Sequence, residues 1–158
     1  NPMKTPLWLS RPLLNVEEVY SWLREAGVKK AIPADQLHLT LATVREPVEW
    51  DNLPLEEDEL VFSEGEKPVQ IFAWTIKALV FSNAQITARH AALLRLYPQM
   101  DHPDFRPHLS LYKGGRMPKT TYEGRLVFGP ERALPFNDDN SKGIKHIKID
   151  DYLQGASQ

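Results

Sequence analysis

The feature that most restricts this chain is one short phrase written twice. Gln36 to Thr43 reads QLHLTLAT, and seventy residues after His38 the segment from Pro107 to Lys113 reads PHLSLYK. Apolar and polar residues alternate in both. That is the period of a half-buried strand, because successive side chains of a strand leave opposite faces. Leu37, Leu39 and Leu41 share one face while His38 and Thr40 share the other; in the second copy Leu109 and Leu111 oppose His108 and Ser110. Each strand commits its leucines to a core. It also presents an imidazole and a hydroxyl about 7 Å apart, at roughly 3.4 Å rise per residue.

The rest of the pattern supplies elements to pack against those leucines. Leu7 to Ser10 reads as a strand. Asn15 is placed to cap a helix whose first turn holds Glu17 and Glu18, with Val16, Val19, Tyr20 and Leu23 at helical spacing and Gly27 as a stop. The acidic, proline-containing stretch Glu46 to Glu57 reads as a surface loop, with Trp50 as a candidate lid residue. Leu60 to Ser63 is a short strand, and Val69 to Phe81 is one long strand or a strand pair. Asn83 caps a second helix carrying Ile86, His90, Leu93, Leu94 and Tyr97, which Pro98 ends. A loop from Met100 to Pro107 leads into the second phrase, and Gly114-Gly115 makes a turn after it. Leu126 to Phe128 and Ile144 to Ile149 read as strands, and Pro130 to Gly143 as a polar, disordered loop. The order predicts an α+β fold of two pseudo-repeated lobes, each with a strand, a helix and a strand bearing the phrase. We expect one domain over 3–153, a cloning remnant at 1–2 ahead of Met3, and a flexible tail at 154–158.

Composition removes several chemistries. The chain of 158 residues has no cysteine, which excludes disulfides, thiolate metal sites and cysteine nucleophiles. A net charge of -2 argues against a broad nucleic-acid-binding surface, though not against a small anion in a local pocket. No apolar run reaches the roughly 18 residues of a membrane helix, and no signal peptide is visible. The expectation is a cytoplasmic protein without membrane partners.

Two imidazoles with ordinary pKa values of about 6.5 can serve as general base and general acid at neutral pH. If the two strands lie side by side, His38, Thr40, His108 and Ser110 converge on one cleft. Two hydroxyls there can donate to the non-bridging oxygens of a phosphate. A lone His-x-Thr on a strand arises often by chance; two copies among five histidines are far more specific. A zinc site normally adds a third ligand, and neither phrase contains a carboxylate, so we expect no metal and no cofactor. His90, His102 and His146 read as structural or solvent-facing.

At these phrases the sequence resembles the 2H phosphoesterase superfamily, named for paired His-x-Thr/Ser motifs. The run FRPHLSL, Phe105 to Leu111, resembles the second motif, in which an aromatic residue and a proline precede the histidine. The resemblance implies a bilobal fold around a central cleft and metal-free chemistry at ribose 2′ and 3′ oxygens. Carried over by position, His38 and His108 are the catalytic pair, and Thr40 and Ser110 bind the phosphate. The opening pattern, PLWLS, a helix, REAGV and IPADQLHLTLAT, is most similar to the phage anti-CBASS phosphodiesterases. That likeness implies a small cyclic di- or trinucleotide substrate, no long nucleic acid, and the host-cell cytoplasm. Trp8 and Trp74 are candidate stacking surfaces for bases, and Tyr112 and Lys113 candidate substrate contacts. An RNA 2′,3′-cyclic phosphodiesterase or 2′–5′ ligase, and a non-catalytic cyclic-nucleotide sponge, stay open as alternatives.

Overall fold

The computed structural model describes residues 3–63, 67–72, 75–101, 105–137 and 143–156. Its elements run β1 (Thr5–Pro12), α1 (Val16–Glu25), β2 (Lys30–Ala31), a 3-10 turn (Ala34–Gln36), β3 (His38–Val48), β4 (Leu60–Phe62), β5 (Val69–Phe72) and β6 (Ile76–Val80). They continue with α2 (Ala84–Leu96), β7 (His108–Lys113), β8 (Leu126–Phe128), β9 (Arg132–Pro135), β10 (Ile147–Lys148) and α3 (Ile149–Ala156).

Among the described residues the fold is α+β, built on a six-stranded sheet in the order β5-β6-β7-β3-β1-β9, with two-stranded sheets β10-β2 and β4-β8 beside it. The strands of the first half, β1 and β3, meet those of the second, β6 and β7, at the centre. There β3 and β7 run antiparallel with Leu39 opposite Leu109. The leucine faces do what their alternation demands: Leu39, Leu109 and Leu111 are fully buried, and Leu37 and Leu41 nearly so. They join one core with Val19, Tyr20 and Leu23 of α1 and Ile86 and Leu93 of α2.

Local signals explain several boundaries. After α1 the chain turns through Gly27, whose φ of +91° is the left-handed conformation glycine adopts without strain. Val28 N–H then bonds Leu23 O and Gly27 N–H bonds Arg24 O, the two bonds of a Schellman stop. Asn83 caps α2 as expected, its Oδ1 accepting from Ile86 N–H at 2.9 Å. Asn15 does not cap α1. Its side chain is taken by β8 instead, with Oδ1 accepting from Val127 N–H and Nδ2 donating to Arg125 O, each at 2.9 Å.

Other expectations need correction. β3 continues through Glu46 and Pro47 to Val48, because Val44 and Val48 stay buried and pair with Leu7 and Thr5 of β1. Trp50 packs against the core, and its Nε1–H donates to Thr5 Oγ1 at 2.8 Å, so it is not a lid residue. Val69 to Phe81 resolves into a strand pair, with Phe72 opposite Ile76. The supposed loop after Pro130 contains β9, an edge strand pairing with β1 from Leu7–Pro135 to Ser10–Arg132. Of the expected terminal strand only Ile147–Lys148 is extended; α3 follows and includes Gln154 to Ala156. Ile149 is fully buried, and Tyr152 meets Tyr20 edge-on at 5.0 Å. Among the described residues, no helix is long and apolar enough to cross a membrane.

Candidate active site

The register of β3 and β7 builds the site. One step either side of the antiparallel pair Leu39–Leu109 sets His38 opposite Ser110 and Thr40 opposite His108. All four side chains share the face turned away from the leucines, and all four are half-buried. The histidines become diagonal neighbours, at a separation of roughly 7–8 Å for such positions. That spacing leaves room between them for one tetrahedral phosphorus.

Both rings are held alike. His38 Nδ1 lies 2.6 Å from Gln36 O, and His108 Nδ1 lies 2.9 Å from Arg106 O. A carbonyl only accepts, so in each ring Nδ1 carries a hydrogen and donates it, and the neutral ring holds its lone pair on Nε2. The proton affinity of His38 is lowered from its ordinary value, first by burial, then by the nearby His108 and Arg132, against a smaller opposing pull from the Gln36 carbonyl bond that ranks second. A neutral imidazole at neutral pH follows.

Trp8 on β1 links the first motif together. Its indole Nε1–H donates to Thr40 Oγ1 at 3.1 Å, and its ring meets the His38 ring edge-on with centroids 5.0 Å apart. Because the Thr40 oxygen accepts from Trp8, its own hydrogen points elsewhere. A cavity of about 610 Å³ opens beside the first motif, lined by Trp8, His38, Thr40, Arg132, Phe136 and Asn137 among others; its lining does not include His108 or Ser110. Its size is typical of small-ligand sites.

Arg132 and Phe136 escaped sequence reading because they follow Pro130 in an apparent loop. In the structure β9 carries Arg132 alongside Ser10 of β1, and the chain is pinned beyond it by Phe136 N–H donating to Pro6 O at 3.0 Å. Arg45 lies over the Phe136 ring at 4.9 Å. The approach to β9 is fixed by Glu131, whose carboxylate is fully buried and accepts from Arg89 Nε and Nη2 and from Glu56 N–H. Alternation of Arg132 and Leu134 between prolines was the available signal, and it was too short to read.

The remaining candidates lie apart. Tyr112 is buried, its hydroxyl donating to Arg116 O, and Lys113 N–H donates to His146 Nε2 at 3.0 Å. Both line a different cavity, near the Gly114-Gly115 turn. Trp74 and His102 lie outside the described residues. His90 on α2 is buried and stacks face to face on Phe105, centroids 4.0 Å apart. Burial lowers its proton affinity. Among the described residues no group of three or more His, Asp or Glu is assembled in a way that could hold a metal.

Comparison with known proteins adds a family to this geometry. The family described as "Anti-CBASS protein Acb1" matches residues 5–143 of the chain. A Caulobacter sp. (strain RHG1) protein named Anti-CBASS protein Acb1 is 30% identical over 143 residues, covering 80% of this chain and 22% of that protein. A Sphingomonas paeninsulae protein of the same name is 28% identical over 145 residues, again covering 80% of this chain and 22% of its own length. The chain thus spans about a fifth of the curated relatives it matches. In fold it is similar to E. coli LigT, solved complexed with phosphate, at a TM-score of 0.54 and 13% identity over 92% of this chain and 94% of that one. The apo form of LigT gives 0.52 at 12% identity, over 85% and 96%.

Proposed function

The chain belongs to the family of anti-CBASS protein Acb1, and on that footing we propose that it is a metal-independent phosphodiesterase that cleaves 3′–5′ linkages of cyclic oligonucleotides. The observation that carries this reading is the Leu39–Leu109 register, which supports both histidines acting on a single phosphorus. The fold shared with LigT is compatible with it.

His38 is the general base. Burial and the neighbouring positive charges favour its neutral form, with the lone pair on Nε2. It takes the proton of the ribose 2′-hydroxyl. The 2′-oxygen attacks the adjacent phosphorus, the P–O5′ bond breaks, and His108 gives the departing 5′-oxygen a proton. The product is linear, with a 2′,3′-cyclic phosphate at one end and a 5′-hydroxyl at the other. Water then attacks the cyclic phosphate with the two roles reversed, yielding a 3′-phosphate. Thr40 and Ser110 donate to the non-bridging oxygens, where negative charge grows in the transition state. Arg132 supplies a countercharge on the same side as His38. Trp8 holds Thr40 and offers a flat edge to a base.

The test is incubation with cyclic dinucleotides and, separately, with RNA ending in a 2′,3′-cyclic phosphate, both in EDTA. Linear products from the cyclic dinucleotides are expected. Turnover of the RNA alone would assign the chain to RNA end processing, and recovery of intact ligand after long incubation with excess protein would make it a sponge.

A further inference from the structure

A second cavity lies at the opposite end of β7 from His108, five residues or roughly 17 Å along the strand at about 3.4 Å per residue. Its volume is about 380 Å³. It sits between the loop leaving α1, Gly27 to Lys30, and the turn Gly114 to Arg116, with His146 closing one side. Lys29, Lys30, Lys113 and Arg116 line it, and no acidic residue does. In a chain of net charge -2 this is a local concentration of positive charge. Among the described residues none of these four makes a salt bridge. Lys119 stands nearby, its Cε close against Gly27.

The backbone around the cavity is prepared rather than loose. Gly114 and Gly115 both adopt positive φ, +74° and +69°. The buried Lys77 donates to both of their carbonyl oxygens at 3.0 Å, so those oxygens are engaged away from the cavity. The carbonyls at the end of α1 are engaged as well: those of Leu23 and Arg24 in the Schellman stop, and that of Ala26 accepting from Lys119 N–H. His146 Nε2 accepts from Lys113 N–H at 3.0 Å, so the neutral ring keeps its hydrogen on Nδ1 as a donor. Burial, and secondarily Lys30, favour that neutral form.

We propose that this cavity is a second anion site, separate from the histidine pair, that takes a phosphate monoester: that of a mononucleotide or of an oligonucleotide end. Four cations that form no salt bridge among the described residues, set around a concave site together with an imidazole donor, are suited to a doubly charged phosphate oxygen set. The site rests on its own residues and stands or falls independently of the phosphodiesterase reading.

The test is an amide and imidazole NMR titration of the full chain with inorganic phosphate, adenosine 3′-monophosphate and adenosine. The Lys113, Gly114 and Gly115 amides and the His146 ring should shift and saturate with phosphate or the nucleotide, at a Kd of about 1 mM or below. Tighter binding of the nucleotide than of phosphate would show that the nucleoside is read as well; equal binding would show that phosphate alone is recognised. Arg116→Glu and Lys30→Glu should each weaken these shifts at least about tenfold, while shifts at the His38 and Thr40 amides persist. Both residues are exposed, and the dispersion of the same spectra reports whether each variant is folded. No saturable shift at these amides, equal shifts with adenosine, or undiminished shifts in both folded variants would overturn the proposal.

Discussion

The Trp8 indole touches both members of the first motif at once, donating to the Thr40 hydroxyl at 3.1 Å and meeting the His38 ring edge-on at 5.0 Å. The two contacts can be separated. Trp8→Phe keeps a ring against His38 and removes the N–H, so kcat should fall by about 3–10-fold, the scale of one hydrogen bond, with KM little changed. Trp8→Ala should fall further. Steady-state kinetics on a cyclic dinucleotide check this; equal rates for Trp8→Phe and the parent would show that the indole N–H does not position Thr40, and equal rates for Trp8→Ala would remove Trp8 from any positioning role.

His38→Ala and His108→Ala should each lower the rate by about 10²-fold or more, the low end of general acid–base effects. Thr40→Ala and Ser110→Ala should cost about tenfold each, as single donors to a charged oxygen. Product formation in EDTA, followed by chromatography, distinguishes the two classes. Hydroxyl variants slower than histidine variants would reverse the assignment of roles.

The acid limb of the pH–rate profile should belong to His38. Its proton affinity is lowered by burial and by the charges of His108 and Arg132, so the limb lies below the ordinary value of 6.5. Activity rises with pH as that proton is lost. Arg132→Gln removes one positive charge, the proton rebinds more readily, and the limb moves to higher pH. A profile of kcat/KM against pH for both proteins reads the shift; movement to lower pH would contradict the proposed base.

Arg89 and Glu131 form a buried pair, with the Glu131 side chain 0% exposed and that of Arg89 15% exposed. Arg89→Met leaves the carboxylate without its partner and should cost about 3–5 kcal/mol in urea unfolding. Replacing both, with Arg89→Met and Glu131→Leu, should recover part of the loss. A cost below about 1 kcal/mol for Arg89→Met, the range of surface pairs, would show that the pair does not hold β9.

Ser10 is fully buried, and its hydroxyl has no hydrogen-bond partner among the described residues. Ser10→Ala removes a polar group desolvated without compensation and should raise stability by up to about 1 kcal/mol. A loss of stability in the same unfolding assay would mean that the hydroxyl has a partner in solution.

The parts of this molecule that announce themselves in sequence are those where local pattern and burial agree. Alternating leucines made β3 and β7 readable, and Gly27 marked the end of α1. The chain between Pro130 and Gly143 was unreadable for the opposite reason. Pro135 cannot donate to a ladder, which counts against a strand, yet an edge strand tolerates it. With β9 hidden, Arg132 and Phe136 were hidden too. Ile144 to Ile149 has apolar residues that suit a strand or the entry to a helix, and tertiary contacts decide between them: burial of Ile149, its N–H bond to Lys29 O, and Tyr152 against Tyr20.

Tyr112 shows a subtler obstacle. Simple alternation from His108 through Ser110 would place it on the cleft face. The register against β6 jumps there: Ala78 faces Ser110 and Lys77 faces Tyr112, so one residue of β7 is extra. Leu111 and Tyr112 are consequently both buried, and Lys113 is carried into the other cavity. A bulge of this kind depends on the partner strand, and no feature of the phrase PHLSLYK reveals it.

Alignment at Leu39 and Leu109 also dictates which changes of chain length this protein can survive. Removing or adding one residue inside either phrase would turn an imidazole into the leucine layer and a leucine into solvent, so each phrase behaves as a frame of fixed parity. In the stretch joining them β4, β5 and β6 keep registers of their own, and the loops between those strands carry no such frame. Divergent copies of this gene should therefore grow and shrink between the phrases while keeping the count within each one rigid.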